Sequence, residues 1–341
     1  MSHRHRLTNP EKTEYIRAVK CTFSKPSKGQ NIFPANQNRH DDFTSLHILH
    51  TTPAAEFPTP ENWGLEGPGV HFNGVFLPWH RYTLWAFETV LIEECGYKGA
   101  QPYWDWTQDT PEHNTHFNMS PIFDSQYGFG GNGVGGSTPM TFINVRTDPI
   151  PAPDAYPEGT CIDSGPFNGM MHNTGPGFQL QRPNPRCLVR NIQTALADDT
   201  LQWKNDVMPI LATDDYWNMS IAMDVPLTGK SRGVHGAAHA SINGEMANFW
   251  SSTNDPLFFM HHSMLDYIWW TWQNKSPENL FAMGGPIYTN GTGTVTLDYT
   301  LHMTPFIAPD IPVRKVVDTL NMDRSGVLCY VYESNDMPVP P

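Results

Sequence analysis

The chain has 341 residues, with 21 Lys+Arg against 34 Asp+Glu, a net charge of -13. That acidic balance argues against nucleic acid or an anionic membrane as a partner, since both require a basic patch. No apolar run reaches the roughly 18 residues needed to cross a bilayer, and the length suffices for a core that stands without staples.

The opening Met1-Ser2-His3-Arg4-His5-Arg6 lacks the apolar segment of a secretory leader. Asn-x-Ser/Thr sequons stand at Asn118, Asn218, Asn274 and Asn290. The five cysteines, Cys21, Cys95, Cys161, Cys187 and Cys329, are far apart and contain no CxxC pair. They read as two disulfides and one free thiol rather than as a metal site. A mature secreted chain with its leader removed fits these features.

Thr8-Asn9-Pro10 predicts a capped helix over Glu11 to Cys21. A second short helix is predicted over about Asp41 to His50. A third runs from Pro78 to Cys95 and is stopped by Gly96. On it His80, Leu84, Phe87 and Leu91 share one face. From Gln108 to Arg186 the chain is rich in Gly, Pro, Asn and Thr and reads as a long irregular connection, which in a compact protein usually has a job. Helical pattern returns over Val189 to Ala197 and around Ser231 to Ser241. The clearest helix opens at Asp255-Pro256, with Asp as cap and Pro at the first position. There Phe258, His262, Leu265, Trp269 and Trp272 share a face. Short Val-, Thr- and Tyr-containing runs after Tyr288 predict a few small strands. The whole, 1–341, reads as one mainly α domain: a central four-helix bundle with long loops and a few short β-strands.

Fifteen histidines and 11 tryptophans suggest a metal site inside an aromatic shell. His235 and His239, four apart on a helix, present both imidazoles on one face, and His262 on a facing helix would complete three ligands. The spacing resembles the zinc-protease HExxH, but Gly236 stands where that motif needs Glu, which argues against a zinc hydrolase. His47, His71 and His80 form a second group. Imidazoles without carboxylate or thiolate suit copper or zinc. His50, one turn from His47, could replace it. His261 points about 100° away from His262 on the helix and is expected to support a ligand rather than bind the ion. His3, His5, His40, His113, His116, His172 and His302 read as ordinary surface or core histidines. Asp266, one turn after His262 and among Tyr267, Ile268, Trp269 and Trp270, could hold the free ring nitrogen of a ligand. Glu88 lies two turns after His80.

Phe76-Leu77-Pro78-Trp79-His80-Arg81-Tyr82, Pro102-Tyr103-Trp104-Asp105-Trp106 and Asp255-Pro256-Leu257-Phe258-Phe259-Met260-His261-His262 followed by Asp266 together resemble the copper signatures of tyrosinases and catechol oxidases. The chain looks most like the short secreted fungal members. The resemblance implies a binuclear type 3 centre of two copper ions, the first held by His47, His71 and His80, the second by His235, His239 and His262. It implies that O2 and a small phenolic substrate are the partners, and that Phe258 packs over the pair. The implied reaction is oxidation of o-diphenols, and of some ortho-substituted monophenols, to o-quinones. The alternatives are a tyrosinase with full monophenol hydroxylase activity and a dioxygen carrier.

Further features are implied by the same resemblance. Tyr330-Val331-Tyr332 resembles the Tyr-x-Tyr near the end of the family's catalytic domain, with Arg17 set against it and Cys21 able to bridge to Cys329. Only a few residues follow Tyr332, so a C-terminal lid domain is not expected. Strong monophenol hydroxylases often carry Asn directly after the second copper's first histidine; here Gly236 takes that place, which favours diphenol oxidation. Gly69 replaces a cysteine that some members cross-link to a histidine. Phe249 or Trp250 sits where the family places a gate over the second copper.

Overall fold

The computed structural model describes residues 1–51, 69–133, 159–177, 179–227, 230, 232–288 and 291–333. The loop between His47 and His71, the end of the glycine-rich stretch and the Asn290 sequon fall largely or wholly outside them.

Helix α1 (Asn9–Ser24) begins where the sequence signals it. The Glu11 carboxylate accepts from the Thr8 backbone N–H at 2.7 Å while Thr8 Oγ1 caps Glu11, and Pro10 occupies the first turn. Helix α2 (Arg39–Thr51) is buried along its whole length. Its first-turn Asp42 pairs with Arg39 at 2.6 Å, so the charges it takes inside are matched. Helix α3 (Phe76–Glu93) ends before Gly96, which supplies the left-handed φ of 67° that the turn requires.

Among its described residues, the connection that follows contains several single 3-10 turns and four two-residue strands. β1 (Thr160–Cys161) pairs antiparallel with β4 (Val189–Arg190), and β2 (Met171–His172) pairs with β3 (Arg186–Cys187). The helix predicted over Val189 to Ala197 is therefore corrected. Its first part is strand, because Arg190 is committed to a buried pair with Asp255 at 2.7 Å, and helix α4 (Thr194–Thr200) starts only afterwards. Short helices α5 (Met208–Leu211) and α6 (Tyr216–Ala222) lead to α7 (Val234–Ile242). Every residue of helix α8 (Leu257–Gln273) is buried, as expected of a central helix. Asp255 does act at its start, accepting from the Leu257 N–H at 3.0 Å, while Pro256 is the cap residue. The tail adds β5 (Thr300–Leu301), its antiparallel partner β6 (Ile311–Pro312) and α9 (Arg314–Val317).

Helices α2, α3, α7 and α8 form the helical bundle: α3 packs along α8, Phe43 of α2 meets Phe87 of α3 and Phe259 of α8, and His239 of α7 meets His262 of α8. Arg81 on α3 joins Asp266 on α8 at 2.5 Å and lies over the Trp269 ring at 3.5 Å. Two disulfides are present, Cys21–Cys95 and Cys161–Cys187, and Cys329 is free and exposed. The count of bridges matches the sequence reading, but the pairing of Cys21 with Cys329 is corrected. Cys21 staples α1 to the end of α3. Arg17 is likewise not set against Tyr330 and Tyr332. It is exposed, pairing with Glu14 and donating to the Cys95 carbonyl, while the buried Arg81 shares Asp266 with both tyrosines. No helix among the described residues is long and apolar enough to cross a membrane.

Candidate metal centre

The bundle brings two groups of imidazoles face to face. One ring nitrogen each from His47 on α2, His71 in the loop before α3, and His80 on α3 lies within 4.8 Å of the others. His235 and His239 on α7 and His261 and His262 on α8 form the second group under the same limit. The groups adjoin: His80 and His262 stack with centroids 4.4 Å apart, and His71 and His235 lie parallel at 5.8 Å. His50 stands outside both groups, against Trp79.

Local hydrogen bonds decide which nitrogen each ring offers. His47 Nδ1 meets the Trp250 carbonyl at 2.6 Å, His80 Nδ1 the Phe76 carbonyl at 2.8 Å, and His239 Nδ1 the Met246 carbonyl at 2.7 Å. His235 Nδ1 meets the Asp224 carboxylate at 2.5 Å. A carbonyl or carboxylate can only accept, so each Nδ1 carries the proton and each Nε2 keeps its lone pair. His47, His80 and His235 leave that Nε2 buried and without a hydrogen-bond partner, and His71 and His262 each leave Nδ1 so. The Nε2 lone pairs of His47, His80 and His235 are costly to bury unless something else takes them. A bound metal does so, and neutral imidazole is the donor that copper or zinc prefers.

His261 differs. The Trp106 indole N–H, which can only donate, points at His261 Nδ1 from 3.3 Å. The ring proton then sits on Nε2, and the ring has no lone pair to aim at an ion. Burial pushes the His47 pKa down to about 4. Burial and then the neighbouring imidazoles hold His71, His80, His239 and His262 well below the ordinary value. These rings are therefore neutral near pH 7, as ligation requires.

Phe258 stacks on His262 at 4.0 Å and lies 5.1 Å from the His47 ring and 6.0 Å from the His239 ring, so it touches both groups. Phe249 is half exposed and rests on His71 at 5.0 Å, so its ring stands nearest the first group. Trp250 contributes its carbonyl to His47. A Cβ placed on Gly236 would meet nothing within 4 Å, leaving open space beside His235. Asp266 is used elsewhere: its oxygens accept from Arg81, Tyr330 and Tyr332, so it braces α3, α8 and the tail rather than an imidazole. Glu88 accepts from the Gln101 N–H and is remote from the imidazoles in that role. The carboxylate that orients a ring is Asp224, which sequence reading passed over. It lies 11 residues before His235, and no local spacing marks it.

Comparison with known proteins agrees with this geometry. The family described as the common central domain of tyrosinase matches residues 37–275. The chain is 33% identical over 331 residues to tyrosinase ustQ of Aspergillus flavus, covering 96% of this chain and 77% of that protein. It is 30% identical over 369 residues to the N-acetyl-6-hydroxytryptophan oxidase ivoB of Emericella nidulans, covering 96% and 90%. Among solved structures, a mutant form of a polyphenol oxidase from Thermothelomyces thermophila superposes with a TM-score of 0.76 at 26% identity, over 98% of this chain and 88% of that one.

Proposed function

Because the chain belongs to the tyrosinase family, we propose that it is a copper-dependent polyphenol oxidase that converts o-diphenols to o-quinones with O2. The observation that carries this is the pair of facing histidine groups with buried, unpartnered ring nitrogens. His47, His71 and His80 would hold one copper ion, and His235, His239 and His262 the other. Bound there, the ions supply dioxygen binding and the acceptance of two electrons from the substrate.

The chain's own part is positional. The Trp250, Phe76 and Met246 carbonyls and the Asp224 carboxylate fix four rings by their Nδ1–H, so little rearrangement accompanies metal entry. Phe258 seals the inner side of both groups against water. Trp106 keeps His261 protonated on Nε2 and out of the ligand set. Gly236 offers no side chain to take the proton of a monophenol, and this supports a preference for o-diphenols, which lose two electrons and two protons without prior hydroxylation. The relatives named as tyrosinase and as an N-acetyl-6-hydroxytryptophan oxidase support the broader class of phenol oxidation. The two disulfides support an oxidising compartment, and we read 1–341 as one catalytic domain of a secreted protein.

The test is metal analysis with oxygen uptake. Copper-loaded protein is expected to hold about two ions per chain and to consume oxygen faster with catechol than with tyrosine. His262→Ala should abolish uptake and lower the copper content. Zinc retained in place of copper, or copper-loaded protein inert towards catechol, would overturn the reading.

A further inference from the structure

Two partly exposed aromatic rings stand beside the first imidazole group. Phe249 is 42% exposed and lies on His71, and Phe72 is 46% exposed, its ring 6.3 Å from Phe249 and only 27° from parallel to it. His71 beneath them is 3% exposed. Exposed aromatic surface of this extent, next to a site that takes aromatic molecules, is the kind that marks binding.

Phe72 carries a second, independent mark. Its φ is 55°, in the left-handed region that bulky side chains avoid. The loop enforces this conformation. Asn73 Nδ2 donates to the Gly69 and Ile287 carbonyls at 3.0 Å each, and the Gly74 N–H donates to the Pro286 carbonyl at 2.8 Å. Glycine or asparagine would occupy position 72 with less strain, and the half-exposed ring recovers little of that strain through burial. Strained bulky residues of this kind gather at ligand sites. Both rings are also held by the groups that hold the centre. Phe72 follows His71, and Phe249 precedes Trp250, whose carbonyl fixes His47.

We propose that Phe72 and Phe249 form an aromatic ledge that binds a second planar ring of the substrate, so that the preferred substrates are catechols bearing an aryl or fused-ring substituent. The inference rests on the phenol-oxidase reading above. The dihydroxy ring enters towards the imidazoles, and its substituent lies outward along the ledge past His71. Offset stacking on two near-parallel faces favours flat substituents over bulky aliphatic ones.

The experiment compares KM for 4-phenylcatechol with KM for catechol, using copper-loaded wild-type protein, F72G, F72N and F72Y. Wild type and F72Y are expected to show a KM about fivefold lower for the aryl compound, the change falling on KM rather than kcat. F72G and F72N, both suited to the left-handed backbone, should bring the two KM values together while melting no lower than wild type. Equal KM values in wild type, or a preference unchanged in F72G and F72N, would overturn the ledge and leave the phenol-oxidase reading standing. Failure of wild type to oxidise either compound would overturn both.

Discussion

Two positions on facing helices, Gly236 and Asp266, act in opposite ways, one by what it lacks and one by what it bonds. The space at the Gly236 Cβ is open, so asparagine fits there without displacing a neighbour. Gly236→Asn should therefore raise the ratio of monophenol to diphenol rates, by about tenfold or more if the new amide orders a water that takes the phenol proton. Initial rates on tyrosine and catechol measure this, and an unchanged ratio would show that position 236 does not control deprotonation. Asp266 is the reverse case. It is the carboxylate for a guanidinium that is fully buried, and it also accepts from two tyrosine hydroxyls. Asp266→Asn keeps the shape but leaves Arg81 without its counter-charge. A loss of about 3 kcal/mol in urea unfolding is expected. A loss below about 1 kcal/mol would mean that the Trp269 face and the Val316 and Val317 carbonyls hold Arg81 by themselves.

At the scale of elements, α3 and α8 were readable because their signals are local. Gly96 ends one, Asp255-Pro256 opens the other, and a helix as apolar as α8 has nowhere to be but the centre. Helical spacing paired His235 with His239 and chose His262 over His261, while His80 entered through the resemblance. What the sequence hid was non-local. The carbonyls of Trp250, Phe76 and Met246 have no side-chain signature, and Asp224 reaches His235 from 11 positions away. The Cys21–Cys95 bridge depends on how α1 packs against α3, and the Arg81–Asp266 pair on how α3 packs against α8; resemblance assigned both differently. Position 190 shows the same limit: a helical pattern gave way to a strand because Arg190 had a buried partner on another element. The α1–α3 staple carries its own prediction. Removing it with paired Cys21→Ser and Cys95→Ala should cost about 2–5 kcal/mol, seen as a lower melting temperature without reductant, after which reductant acts only through Cys161–Cys187. A melting temperature equal to wild type would show that α1 docks without it.

Across the molecule, histidines outside the imidazole groups are also buried neutral, and this sets how the fold responds to acid. Burial, as the leading cause, pushes His3 and His50 down to about 3 and His5 and His40 down to about 4. His172 lies well below the ordinary value, and both its ring nitrogens lack a hydrogen-bond partner. The sign follows from linkage. Above pH 6.5 these rings are neutral in both states and contribute nothing to the pH dependence. Below it the unfolded chain takes up protons that the folded chain refuses, so stability falls as pH drops, by about 1.4 kcal/mol per unit for each ring. Asp109 works against this. Burial raises its pKa to about 7, so the folded state holds one proton in the same window that the unfolded state has released. Burial also raises Asp41, Glu88 and Asp105, which act in the same direction as Asp109, but the buried histidines outnumber these carboxyls, and stability should decline between pH 6.5 and 5. The cleanest check replaces a ring with no hydrogen bond to lose. His172→Leu should leave stability at pH 7.5 equal to or above wild type and flatten the decline by about 1.4 kcal/mol per unit. Any loss of bound metal in acid is common to both proteins and cancels in the difference. Unfolding curves in urea at pH 7.5, 6.5, 5.5 and 5.0 for the two proteins measure it, and parallel declines would show that His172 takes up its proton in the folded state.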